Sequence, residues 1–108
     1  MDYKKIGETY YIRVDRDDEV IANILDVCKK ESIPSAVFSG IGGCKSAELY
    51  HTHALFTFKK NGQHGMAGGH LKSTTVLYTA EIELRPTVGG SIGRKFDPET
   101  GTGFWNFK

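Results

Sequence analysis

Long apolar runs, cysteine and an excess of charge of either sign are all scarce in this sequence, and each shortage removes a class of function. No stretch approaches the roughly 20 apolar residues needed to cross a bilayer. The opening MDYKKIGETYY has lysines but lacks the apolar segment of a secretory signal. The expected location is therefore the cytoplasm, with no membrane partner. The two cysteines, Cys28 and Cys44, are too few for a disulfide framework, and neither belongs to a CxxC pair. Both are read as buried or partly buried thiols in a reducing compartment. Fourteen basic against thirteen acidic side chains leave a formal net charge of +1, which exerts no general pull on a phosphate backbone. Lys4, Lys5, Lys59, Lys60, Arg94 and Lys95 are scattered along the chain and read as a solvated surface. With 108 residues, of which 39% are hydrophobic, the chain suits one domain with one modest core.

What is present is a strand, a helix and then β-like sequence. Tyr10 to Arg16 alternates, with Ile12 and Val14 on one side and Tyr11, Arg13 and Asp15 on the other. Asp17 is the expected helix N-cap, with Asp18 and Glu19 in the first turn. Val20, Ile21, Ile24, Leu25 and Cys28 recur at helical spacing, Lys29 and Lys30 suit the last turn, and Pro34 forbids continuation. This helix is expected to cover one face of a sheet. Gly40, Gly42 and Gly43 interrupt the next apolar run and predict a bulge or close backbone approach before a second short extended piece. Lys60-Asn61-Gly62-Gln63 predicts a tight hairpin turn that includes His64, and Gly68-Gly69-His70-Leu71 predicts the opening of a further strand pair. Thr79 to Arg85 alternates cleanly, with Ala80, Ile82 and Leu84 inward and Glu81, Glu83 and Arg85 outward, until Pro86. The glycine-rich tail carries Phe104, Trp105 and Phe107, which are expected to dock on the body of the domain or on a neighbouring subunit. The class is α+β, a twisted and mainly antiparallel sheet with one or two helices on one face.

The residues with the most chemistry are histidines. His51 and His53 are two apart on a β-like segment, where side chains on one face recur every ~6.6 to 7 Å. His70 follows Gly68 and Gly69, whose missing side chains let the backbone run close to an adjacent strand. Three neutral imidazoles suit Zn²⁺, or Ni²⁺ or Fe²⁺, with a position left for water or a small-molecule ligand. The plainer alternative is a set of hydrogen-bonded or surface histidines. No carboxylate adjoins the cluster in sequence, although Glu48, Glu81 or Glu83 are candidates to approach in space. Other chemistries are weaker. SGIGG lacks the Lys-Ser/Thr pair and following helix of a phosphate loop, Ser39 lacks the G-x-S-x-G elbow, and Cys28 falls on the buried helix stripe. Whether the chain is an enzyme is left open.

In order, FSGIGGCKSAEL, YHTHAL, AGGHLKSTTVLYTAEIEL and RKFDPETG resemble the plant-and-prokaryote-conserved (PPC) family, a domain of unknown function also found in plant AT-hook nuclear proteins. The resemblance implies one PPC-like domain over residues 1–108, assembled as a homotrimer. It also implies that the family histidines, matched here by His51, His53 and His70, lie close together as a metal or small-ligand site near subunit contacts, with Gly68 and Gly69 beside them. Family members place two more strands between the stretches matched by Ala47-Glu48-Leu49 and Tyr50-His51; here these abut, so a family segment is absent between about residues 49 and 50. DNA association through an R-G-R-P hook is not carried over, because the chain has none.

Overall fold

The computed structural model describes the backbone of residues 1–107 and all side chains there except those of residues 49–60 and 67–72. It has β1 (Asp2–Ile6), β2 (Thr9–Asp15), α1 (Val20–Lys30), β3 (Ala36–Lys60), β4 (Gln63–Pro86), β5 (Gly93–Asp97) and β6 (Thr102–Asn106). The first four strands form one antiparallel sheet in the order β1-β2-β4-β3, and β5 and β6 form a separate two-stranded ribbon. The expected α+β architecture is observed, with α1 as the one helix among the described residues.

The two clean alternations in the sequence become the two central strands. Tyr10, Ile12 and Val14 of β2 and Val76, Ala80, Ile82 and Leu84 of β4 are buried, while Tyr11, Arg13, Glu81, Glu83 and Arg85 are exposed. Helix α1 closes this core with Val20, Ile24 and Val27. Leu25 was expected on the buried stripe, yet it is 61% exposed, and Val27 takes the inward position. The residues at 20, 24 and 27 form the narrow i, i+4, i+7 stripe of a helix lying on a sheet, and Leu25 falls to one side of it.

The helix also begins later than expected. Asp17 is not the N-cap, and no acidic residue lies in the first turn. Asp17 N–H donates to the Val76 carbonyl and Val76 N–H donates to the Asp18 carbonyl, so these two aspartates are held against β4 before the helix starts. Asp17 adopts φ 69°, a left-handed conformation that Asp tolerates better than most residues. The N-cap is Glu19, in extended conformation, whose carboxylate accepts from Ile21 N–H at 3.0 Å and from Ala22 N–H. It also accepts from Thr74 N–H of β4 at 3.0 Å, tying the start of the helix to the sheet. Lys29 and Lys30 occupy the last turn as expected, and Lys30 pairs with Asp26.

Strands β3 and β4 have 25 and 24 residues. The segments expected as separate short pieces are continuous, and the predicted strand pair at Gly68 is part of β4. Run straight, each strand would extend about 80 Å, whereas the longest dimension of the chain is 50 Å. The ribbon therefore bends, and its register shifts at Gly42/Cys44, Cys44/Ser46 and Glu48/Thr52 mark irregular steps. The last of these falls where the family segment is expected to be absent. Glycine is needed just before the first shift: a Cβ on Gly42 would stand 2.7 Å from the Thr79 carbonyl oxygen and 2.8 Å from Ala80 Cα.

The Leu84 side chain is 1% exposed on the central strand, so Leu84→Ala should lower unfolding stability by about 2–5 kcal/mol. Leu25→Ala should change it by less than about 0.5 kcal/mol. Denaturant titration of both variants measures the difference. Acid should act through the aspartates that flank the helix start. The Met1 ammonium and then Arg13 hold the Asp15 carboxyl below the usual carboxylate range, and Lys45 does the same for Asp17. Their contribution is complete above the unfolded carboxylate value and is lost as pH falls through the lower folded values. A Lys45→Met chain should accordingly show a smaller loss of thermal midpoint than the parent between pH 5 and 2, each starting from its own neutral-pH value.

Candidate metal or ligand site

The position of the histidines follows from a turn. Asn61 and Gly62 have φ of 52° and 77°, the left-handed pair that a two-residue hairpin requires, and Lys60 pairs directly with Gln63. Such a turn fixes the register on both sides, so residues equally far back from it stand opposite each other. His53 and His70 are one such pair. Directly opposed residues of an antiparallel pair share a face of the sheet. Gly69 stands opposite Ala54 and Gly68 opposite Leu55. His51 belongs to β3 on the far side of Thr52, where the ladder is irregular between Glu48 and Thr52. The side chains of His51, His53 and His70, and the surroundings of Gly68 and Gly69, lie outside the described residues, as does any convergence of the imidazoles.

Neighbouring chemistry can be placed more fully. His64 is not in the turn but on β4, opposite Lys59, and is exposed. It is six residues from His70, roughly 20 Å along a strand, too far to share an ion. Glu48 stands opposite Ser73 at the edge of the last register shift. Glu81 and Glu83, in contrast, face Arg13 and Tyr11 on β2, at the other end of β4 from the hairpin turn. Cys28 is partly buried and its thiol is pushed up by that burial, which makes it a poor nucleophile at neutral pH. Among the described residues no group of three or more His, Cys, Asp or Glu side chains is placed to hold a metal ion. Also among them, no helix is long and apolar enough to cross a membrane.

The sheet has a second feature that the sequence reading passed over. The face away from α1 is not covered by any of the described residues and forms an open concavity of about 670 Å³, lined in part by Tyr11, Arg13, Ser39, Ile41, Glu81 and Glu83. The alternation of β2 and β4 had placed these carboxylates outward. The third contributor, Ile41 of β3, is 80% exposed beside them.

Residues 1–64 match the family model of the Plants and Prokaryotes Conserved (PCC) domain. The chain belongs to this family. No curated protein matches the PCC-domain chain. Several solved structures share its fold. A proposed DNA-binding protein from Bacteroides thetaiotaomicron is 19% identical with a TM-score of 0.76, over 98% of this chain and 96% of that one. A plant- and prokaryote-conserved protein from Pyrococcus horikoshii is 24% identical with a TM-score of 0.73, over 97% and 94%. A metal-containing protein from Archaeoglobus fulgidus is 17% identical with a TM-score of 0.69, over 98% and 99%.

Proposed function

We propose that this PCC-domain chain is a self-associating protein, a homotrimer, that holds a divalent metal ion or a small ligand with His51, His53 and His70. The observation that carries this reading is the backbone register, in which His53 and His70 are direct partners across the β3–β4 ladder. Two imidazoles at opposed positions suit one borderline metal ion, and His51, two residues from His53, supplies the third nitrogen donor. Zinc is the metal that this donor set fits best, and three protein ligands leave a coordination position for water or a ligand. When bound, such an ion would supply Lewis acidity. The residues of the chain would hold it and orient it, and Gly68 and Gly69 leave room for a ligand beside His70. The name of the metal-containing Archaeoglobus protein, which shares the fold, supports the reading. Elemental analysis of the purified protein should find about one equivalent of metal per chain, and His53→Ala/His70→Ala should remove nearly all of it. Unchanged stoichiometry in that variant rules out these ligands.

A second reading is favoured by the proposed DNA binding of the Bacteroides protein: an oligomeric interaction module that works beside DNA and has no catalysis of its own. The net charge of +1 weighs against it, and the basic residues belong to separate elements: Lys4 and Lys5 on β1, Lys59 and Lys60 at the hairpin turn, and Arg94 and Lys95 on β5. DNA binding through phosphates requires that affinity for duplex DNA fall steeply between 50 and 200 mM salt. On the metal-site reading, no salt-dependent binding is expected even at the low-salt end of a fluorescence-anisotropy titration.

A further inference from the structure

The β5–β6 hairpin ends the chain as an arm with one unsatisfied face. Its ladder opposes Arg94 to Trp105 and Phe96 to Gly103, so Arg94, Phe96 and Trp105 share a face. Phe107 continues that face, its ring 6.0 Å from that of Trp105 in an edge-on arrangement. Trp105 and Phe107, expected together with Phe104 to dock on the body of the domain or on a neighbouring subunit, are not buried against this single chain. Phe96 is 65%, Trp105 56% and Phe107 77% exposed. Arg94 donates to the Gly103 carbonyl, and among the described residues no carboxylate pairs with it. The entrance to the arm is tied down, by Thr87 N–H to the Ser35 carbonyl and Ile92 N–H to Ser35 Oγ, but among the described residues β5 and β6 pair only with each other.

The uncovered face of the sheet has the opposite character. Glu81 and Glu83 are exposed and, among the described residues, neither is in an ion pair, because Arg13, the ladder partner of Glu81, bonds instead to Asp15. Ile41 stands beside Glu81, and Val37, 52% exposed, lies further along the same face of β3. Lys4 and Asp2 lie at the far edge of this face on β1, and Arg85 lies at its end on β4. The β3–β4 half thus combines two unpaired carboxylates with two exposed branched aliphatic side chains.

We infer that the aromatic face of the β5–β6 hairpin of one copy docks on the β3–β4 half of the open sheet face of a second copy, with Arg94 between Glu81 and Glu83. The inference rests on the self-association proposed above and names its surfaces. An arm on one surface and its acceptor on another make a head-to-tail contact, which builds the proposed trimer where the rotation between copies closes a ring. The rings of Phe96, Trp105 and Phe107 cover Ile41 and Val37, and the cation meets carboxylates that have no ion-pair partner among the described residues.

Sedimentation equilibrium of the full chain tests the contact. Arg94→Glu, and separately Glu81→Arg/Glu83→Arg, should each raise the dissociation constant of the assembly by about thirtyfold or more. The triple variant carrying all three changes should recover most of that loss. Mixing Trp105→Ala/Phe107→Ala chains, which keep the acceptor face, with Glu81→Arg/Glu83→Arg chains, which keep the arm, should give two-copy complexes that grow no further. An assembly unmoved by either charge reversal overturns the inference and leaves the self-association reading in place. So does a loss that the triple variant fails to restore. A parent chain that is monomeric at every concentration removes both.

Discussion

Strand β4 is the element on which the rest depends. It is hydrogen-bonded to β2 on one side and β3 on the other, and it gives the core Val76, Ala80, Ile82 and Leu84. Its other end forms the hairpin that sets His53 against His70. The same backbone therefore links the packed part of the domain to the proposed ligand site, and the helix is fastened to it between the two through Glu19 and Thr74. The core is one-sided: α1 covers one face of the sheet and the other face is left to solvent or to a partner. A chain with dimensions of 50 × 40 × 18 Å has little interior, so the surfaces that it leaves uncovered are large relative to its core.

Much of this was legible in the residues where one period dominates. Alternation over Tyr10 to Arg16 and Thr79 to Arg85 sorted buried from exposed side chains as they are found, because each strand has one wet and one dry face. The helix was legible in place and length but not at its start. Asp17 and Asp18 have the composition of a cap, yet tertiary hydrogen bonds to Val76 draw them into the sheet and pass the capping role to Glu19, a residue type less often used there. Leu25 was misjudged because helical spacing alone does not tell how wide a stripe the sheet will cover. The continuity of β3 and β4 was missed for a related reason: glycines that read as breaks in a short strand act as bends in a long one.

The site was legible in composition and only partly in geometry. His51, His53 and His70 stood out as a donor set, and the Asn61-Gly62 turn was recognised. Counting outward from that turn would have paired His53 with His70 before any coordinates were seen, since a two-residue turn leaves no freedom of register. His51 was beyond such counting, because the ladder loses step between Glu48 and Thr52. The open face and the arm required the fold itself: Ile41 becomes a neighbour of Glu81 only when β3 is laid beside β4. The tail showed its aromatic residues but not that β5 and β6 would sort Phe96, Trp105 and Phe107 onto one side.

The Glu19 carboxylate has a consequence for motion. It accepts at once from the amides of Ile21, Ala22 and Thr74, two in the first turn of the helix and one on the strand. Swinging that single side chain away frees all three donors together, which couples opening at the head of the helix to opening of the strand there. The amide protons of two segments far apart in sequence are thereby placed in a single exchange unit.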